Sequence, residues 1–91
     1  MANVEIYTKS WCPFCTRAKA HLDRKGVTYE EIDVTTDSVR ELEMVKRSKQ
    51  FTVPQIFIAG HHLGGNSDLL DADRTGRLDR LLTGQNDNAV A

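Results

Sequence analysis

The sequence has very few of the cysteines that mark a disulfide-stapled secreted module. Only two of its 91 residues are cysteines, and both lie in the stretch Ser10-Trp11-Cys12-Pro13-Phe14-Cys15. A crosslink between residues so close in sequence closes a very small loop and removes little entropy from the unfolded chain. A purely structural disulfide therefore explains the pair poorly, and two uses remain, metal ligation and reversible redox chemistry.

The sequence also lacks an excess of either charge and any long apolar run. Twelve Lys and Arg residues are balanced by thirteen Asp and Glu residues, so no global field would collect nucleic acid or an anionic membrane. No apolar stretch is long enough to span a bilayer, and the first residues show no basic segment followed by an apolar one. We expect a cytoplasmic protein with no nucleic-acid or membrane partner, where a CxxC pair is more often catalytic or metal-binding.

Length and apolar content fit one compact domain with a modest core, because 91 residues of which 40% are hydrophobic leave no room for a second one. Strand-like and helix-like patterns alternate along the chain. They predict an α/β domain of order β-α-β-α-β-β-α-α, in which a four-stranded mixed sheet is flanked by helices. We expect the domain to cover residues 1–83, followed by a frayed tail at residues 84–91. The predicted strands lie at residues 4–8, 27–34, 53–59 and 62–63.

The second predicted helix follows possible caps at residues 36–38 and has apolar residues at helical spacing. Val39, Leu42 and Val45 form this set, with Met44 as a further candidate. We expect these side chains to face the core.

The two cysteines are predicted to have different environments at the junction of the first strand and the first helix. Pro13 suits the first helical position, which places Cys12 at the cap and Cys15 one turn further in. Residues three apart on a helix lie within the reach of a disulfide. Cys12 faces the unpaired N–H groups of the helix start, with Lys9 nearby, so we expect thiolate there and a more buried thiol at Cys15.

Zinc binding is an alternative on the residues alone. A structural site needs four ligands, and beyond the two cysteines the candidates are His21, His61 and His62. His21 falls nearly two turns from Cys15 on the predicted helix, and the other two histidines fall on a hairpin. No recognised ligand spacing is completed, so we favour redox chemistry.

Two other segments each allow a structural and a functional interpretation. Thr52-Val53-Pro54 suits the start of a strand, and it can equally present the Val53 backbone to an added extended chain. Gly64-Gly65-Asn66-Ser67-Asp68 suits a turn and helix cap. It can also hold a zwitterionic amino-acid terminus, with helix N–H groups on the carboxylate and Asp68 on the ammonium.

In combination these three segments resemble the motifs of the dithiol glutaredoxins, and the resemblance covers about residues 3–82. That family has a CPYC-type motif, a TVP segment and a GG-x-x-D segment on a thioredoxin-like fold, and the bacterial glutaredoxin 3-type members are the most similar. The resemblance implies a cis peptide bond before Pro54. It also implies a glutathione-dependent thiol–disulfide oxidoreductase that uses glutathione as co-substrate and keeps no permanent cofactor.

The resemblance further implies a role for each thiol. Cys12 attacks the glutathione sulfur of a glutathionylated protein, and a second glutathione then attacks the Cys12 mixed disulfide. For protein disulfides, Cys15 resolves the intermediate. The implied partners are glutathionylated or disulfide-containing proteins, with ribonucleotide reductase as one candidate, and the expected state is a monomer. No metal ligand is implied, and the implied glutathione contacts are Lys9, Phe14, Arg40, Thr52, Val53, Pro54, Gly65, Asn66, Ser67 and Asp68.

Two residues depart from the family pattern. Phe14 stands where tyrosine is usual, which keeps the ring and removes a hydroxyl. Asn66 stands where many members have another cysteine. A second hypothesis is a carrier in which two chains share an iron–sulfur cluster through one Cys12 each and two glutathiones. Pro13 argues against it, because the cluster-binding relatives generally have a small residue at that position.

Overall fold

The computed structural model describes residues 2–84, in which eight elements follow the predicted order. The frayed tail predicted for residues 84–91 falls, beyond Gly84, outside the described residues. Within them, no helix is long and apolar enough to cross a bilayer. The elements are β1 Val4–Thr8, α1 Pro13–Arg24, β2 Glu30–Asp33, α2 Ser38–Ser48, β3 Gln55–Ile58, β4 His61–Gly64, α3 Asn66–Arg74 and α4 Arg77–Leu82.

The four strands form a mixed sheet in the order β2-β1-β3-β4. β1 pairs in parallel with β2 and antiparallel with β3, and β3 pairs antiparallel with β4. In the β1–α1–β2 unit the chain leaves the end of β1 and enters α1 within a few residues. The cysteine pair therefore lies at the edge where a parallel strand ends and a helix begins, as the sequence predicts.

Successive side chains of a strand point to opposite faces of the sheet, so each face has its own hydrophobic core. Ile6 belongs to a cluster with the buried residues of α1, α3 and α4, whereas its neighbour Tyr7 belongs to a cluster with α2. The helices therefore sit on both faces. The first cluster contains Val4, Ile6, Ala18, Leu22, Val27, Ile56, Ile58, Leu63, Leu69, Ala72, Leu78 and Leu82. The second contains Tyr7, Ile32, Val34, Met44 and Phe57.

The predicted inward face of α2 is wrong at Val39 and Leu42 and confirmed at Met44 and Val45. Val39 is 76% exposed and Leu42 is 54% exposed, whereas Met44 is fully buried and Val45 is half-buried. The helix starts at the Asp37 cap, as the sequence allows, but it is rotated so that another stripe of residues meets the sheet.

That stripe is largely polar. The Tyr7 hydroxyl donates to Glu43 Oε2 at 2.5 Å, and Arg47 Nη1 donates to the same hydroxyl at 2.8 Å. Arg47 also pairs with Glu5 at 3.0 Å and lies 4.0 Å from the centre of the Phe57 ring. Burial and the Glu43 bond raise the pKa of Tyr7. These contacts between α2 and one face of the sheet, which periodicity does not reveal, favour the observed rotation of α2.

Candidate active site

Cys12 caps α1 and lies against the segment before β3. Its backbone is extended, Pro13 occupies the first helical position, and its Sγ accepts a hydrogen bond from the Cys15 N–H at 3.3 Å. Its thiol donates to the Val53 carbonyl oxygen at 3.6 Å. The Cys12 sulfur thus accepts from one backbone group and donates to another. The predicted cap position is confirmed, and both cysteines are free.

Cys15 lies one turn into the helix and is 1% exposed, compared with 5% for Cys12. Burial, with a smaller contribution from the hydrogen bond to Cys12, raises the pKa of Cys15 to about 12. A hydrogen bond from the Lys9 backbone and, to a smaller extent, the charge of Lys19 oppose this rise in the pKa of Cys15. Cys15 is therefore a protonated thiol near neutral pH.

A cavity of about 340 Å³ opens where the segment before β3 meets the start of α3. The structure brings eight of the predicted site residues together in its lining. They are Phe14, Thr52, Val53, Pro54, Gly65, Asn66, Ser67 and Asp68. The three motifs, which are far apart in sequence, thus converge on one cavity.

The segment before β3 carries the cis peptide bond between Val53 and Pro54 that the resemblance implies. The sheet pairing of β3 begins only at Gln55, opposite Tyr7. Val53 therefore precedes the paired part of the strand, and its carbonyl points at the Cys12 thiol.

The start of α3 is held by the Asp68 carboxylate. The Gly65 N–H donates to Asp68 Oδ2 at 2.9 Å, and Gly65 caps the helix. Gly64 has a φ of 126°, and a Cβ there would lie 2.3 Å from the same oxygen. Only glycine fits this close approach. Among the described residues, no group donates to the buried Asn66 Oδ1.

The two predicted cations lie outside this lining. Lys9 Nζ pairs with Glu41 at 2.7 Å and lies 5.8 Å from the centre of the Trp11 ring. Arg40 Nε pairs with Glu43 Oε2 at 3.1 Å. The structure thus directs both cations to carboxylates of α2 rather than into the cavity.

Two glutamines that the sequence analysis missed complete the lining, Gln50 and Gln55. Gln55 is 1% exposed and lies in an otherwise apolar strand, directly after Pro54. That position was its only signal in the sequence. Gln50 lies in a polar loop and gave none.

The histidines of the zinc alternative lie elsewhere. His21 Nε2 lies 2.6 Å from Asp73 Oδ2, His62 Nε2 lies 2.6 Å from Gln55 Oε1, and His61 is exposed. In the part of the chain that the structure describes, no group of three or more His, Cys, Asp or Glu side chains is arranged to hold a metal ion.

Comparison with known proteins decides the family. Residues 4–63, well over half of the chain, match the family model described as Glutaredoxin. The chain belongs to the glutaredoxin family. Its members are thiol–disulfide oxidoreductases, and this glutaredoxin is an enzyme of that class, as the sequence resemblance predicted.

Curated relatives span almost the same length. The chain is 54% identical to Glutaredoxin 3 of Escherichia coli strain K12 over 82 residues, which covers 90% of this chain and 99% of the relative. It is 45% identical to a glutaredoxin of Pseudomonas aeruginosa over 83 residues, which covers 91% of this chain and 99% of that relative.

Solved structures confirm the thioredoxin-like fold. A buckwheat glutaredoxin in complex with glutathione superposes with a TM-score of 0.83 at 28% identity, covering 91% of this chain and 78% of that one. The solution structure of a Brucella melitensis glutaredoxin superposes with a TM-score of 0.81 at 46% identity, covering 94% of this chain and 95% of that one.

Proposed function

We propose that this glutaredoxin reduces protein–glutathione mixed disulfides through Cys12 and protein disulfides through Cys12 with Cys15, and that glutathione regenerates it. The family supports the coarser statement of a glutathione-dependent thiol oxidoreductase. The observation that carries the finer one is the 3.6 Å contact between Cys12 Sγ and the Val53 carbonyl. It supports the proposal, because the sulfur proposed to react lies beside the backbone that would receive an extended ligand.

The cavity suits a tripeptide with charged ends. Its volume of about 340 Å³ is at the lower end of the range of about 300–1,000 Å³ that is usual for small-molecule sites. The Val53 backbone would pair with the cysteinyl unit of glutathione as a short added strand. The buckwheat relative, by comparison, was solved as a glutathione complex.

The γ-glutamyl end of glutathione would bind at the start of α3. The Asn66 Oδ1, buried and without a donor among the described residues, would accept an N–H of the ligand. The Asp68 carboxylate holds Gly65 through Oδ2 and would hold the ammonium. The N–H groups of Asn66 and Ser67 would face the ligand's carboxylate.

The glycine carboxylate would bind on the opposite side, toward Lys9. Because Lys9 pairs with Glu41 at 2.7 Å, binding would make Lys9 share or leave that partner. Arg40, which pairs with Glu43, would have to turn further to contribute. Phe14 is 53% exposed and lines the cavity, so its ring would cover one face of the ligand.

In the proposed reaction, the Cys12 thiolate attacks the glutathione sulfur of the substrate. The substrate S–S bond breaks, and the departing protein thiolate takes up a proton. The thiolate of a second glutathione then attacks the sulfur of the glutathione held on Cys12, which frees Cys12 and forms oxidised glutathione. With a protein disulfide, Cys12 attacks one of its sulfurs and the other leaves as a thiol. Cys15 then gives up its proton and attacks the Cys12 sulfur, which forms the Cys12–Cys15 disulfide and releases the second protein thiol. Two glutathione molecules reduce the Cys12–Cys15 disulfide and become oxidised glutathione.

The remaining proposals rest on the family resemblance alone. The protein would act as a monomer in the cytoplasm with no permanently bound cofactor. Its partners would be glutathionylated or disulfide-containing proteins, with ribonucleotide reductase as one candidate.

The test is turnover of the mixed disulfide between glutathione and 2-mercaptoethanol. Electrons are supplied either by glutathione with glutathione reductase or by thioredoxin reductase with no glutathione. We expect turnover with the first supply and little with the second. The reverse preference would overturn the proposed function.

A further inference from the structure

Gln55 is an almost completely buried amide with a partner for each polar atom. Its Nε2 donates to Gln50 Oε1 at 3.0 Å, to the Thr52 carbonyl at 3.0 Å, and to Thr52 Oγ1 at 3.2 Å. Its Oε1 faces His62 Nε2 at 2.6 Å. Because an unpaired buried polar group is costly, this set of bonds constrains every side chain in it.

The network fixes which way the amide points. Three oxygens surround Nε2, so the amide oxygen must face His62, and the His62 ring must donate from its Nε2–H. If the amide turned over, its oxygen would meet the Thr52 carbonyl oxygen, and neither of these two oxygens can donate. The ring of His62 is itself placed by Phe57, with the two ring centres 5.0 Å apart.

The hydrogen-bond network extends from His62 through Gln55 to Thr52, next to the backbone that contacts the Cys12 thiol. Gln55 holds both the carbonyl and the hydroxyl of Thr52, and the next residue is Val53, whose carbonyl accepts from Cys12 Sγ. Gln55 also occupies the side-chain oxygen of Gln50. That leaves Gln50, which lines the cavity, with its amide N–H groups to offer a ligand.

We propose that His62 and Gln55 are positioning residues for glutathione use: His62 orients the Gln55 amide, and that amide holds Thr52 and Gln50 in the arrangement that receives glutathione. Neither residue contacts a reacting sulfur. The inference rests on the proposed function. It adds two residues to the glutathione site, and both act on the ligand through the segment before Pro54.

The test compares His62→Phe with His61→Phe in the glutathione-coupled assay. Phenylalanine keeps a ring beside Phe57 but cannot donate to Gln55. We expect His62→Phe to raise the KM for the glutathione mixed disulfide about fivefold to tenfold, the effect of losing one buried hydrogen bond. The kcat should change less than twofold, because Cys12 caps α1 and Cys15 lies within it, and neither His62 nor Gln55 contacts a sulfur. His61, exposed on the neighbouring position, should give wild-type values.

Two further variants separate positioning from a loss of folding. His62→Gln restores an N–H donor and should recover most of the KM. Gln55→Glu keeps an acceptor for His62 but turns a carboxylate oxygen toward the Thr52 carbonyl, so it should raise the KM while circular dichroism stays native.

Three outcomes would overturn the inference: an unchanged KM in both His62→Phe and Gln55→Glu, a loss of kcat alone, or no recovery in a folded His62→Gln. If the wild-type protein shows no glutathione-coupled turnover, the proposed function itself fails and this inference fails with it. A glutathione-dependent wild type with unaffected variants would remove the inference only.

Discussion

The backbone N–H of Cys15 donates a hydrogen bond to the sulfur of Cys12 at 3.3 Å. Cys15 thus supplies a donor to the sulfur of Cys12, while its own sulfur lies buried, which raises the pKa of Cys15 to about 12. The short sequence spacing makes this possible, because residues three apart at a helix start are cap and first turn. The pair is therefore chemically unequal before any substrate binds.

This inequality predicts selective alkylation. Because burial raises the pKa of Cys15 to about 12, its thiolate appears only as the pH approaches that value. We expect iodoacetamide to modify Cys12 and leave Cys15 unmodified between pH 7 and pH 9. Peptide mass spectrometry of the reduced protein measures this, with urea-unfolded protein as the control in which both thiols react. Modification of Cys15 first would contradict the assignment.

The Asp68 carboxylate is predicted to have two separable roles. Asp68→Asn keeps an oxygen for the Gly65 N–H but removes the charge, so it should raise the KM for glutathione roughly tenfold. Asp68→Ala should do the same and also lose the cap, at about 1 kcal/mol of unfolding free energy. The rate of Cys12 alkylation should change little in either variant. Wild-type glutathione kinetics in both would remove Asp68 from the site.

Glu41 is predicted to compete with glutathione for Lys9. The two side chains pair at 2.7 Å and are 37% and 21% exposed. A partly exposed ion pair contributes little free energy, so releasing Lys9 from Glu41 should have a small effect. We expect Glu41→Gln to lower the KM for glutathione by no more than about threefold. Lys9→Gln should raise the KM, and Glu41→Gln should have no benefit in that background. If Glu41→Gln lowers the KM for glutathione equally with Lys9 present and with Lys9→Gln, Glu41 does not act by pairing with Lys9.

Asp73 is predicted to stabilise the fold in a pH-dependent way. It pairs with Lys25 at 2.8 Å and His21 at 2.6 Å, joining α3 to the end of α1. Lys25 and then His21 hold the pKa of Asp73 below its usual value. A lowered pKa contributes stability above the unfolded value of about 3.9, and this is lost as the pH falls through the folded value.

Asp73→Asn should therefore lower the unfolding free energy by about 1 kcal/mol at pH 7. Urea unfolding between pH 7 and pH 3 measures the difference, which should shrink below about pH 4. Asp71→Asn is the control, because Asp71 pairs with Arg74 in an exposed i,i+3 position. A difference that stays constant on acidification would contradict the role given to Asp73.

Local sequence patterns were sufficient to predict the order of the helices and strands. They were not sufficient to predict which side chains of α2 face the sheet. β1 and the start of α1 agree with the sequence because strand formers alternate there and Pro13 marks the first turn. The face that α2 presents to the sheet depends instead on Tyr7, Glu43 and Arg47, which meet between β1 and α2. No spacing within one helix contains that information, and Val39 and Leu42 follow the helical period while facing outward.

The arrangement of the candidate site could be predicted where motifs act locally, and not where partners meet through tertiary structure. The residues around Pro54 and Asp68 lie where the motifs indicate, and the cis bond came only from the family resemblance. Lys9 lies near the motif in sequence, but α2 presents it with Glu41. Gln55 and His62 meet because the β3–β4 hairpin brings them together, with a register irregularity between Ile56 and Phe57 that the sequence does not predict.

The central claim is that Cys12 attacks the glutathione sulfur and Cys15 only resolves. The most direct measurement is glutathione-coupled turnover of a glutathionylated peptide by wild type, Cys12→Ser and Cys15→Ser, beside reduction of a protein disulfide. Cys12→Ser should abolish both activities. Cys15→Ser should keep much of the first and lose the second. Equal loss of peptide deglutathionylation in the two variants would contradict the claim.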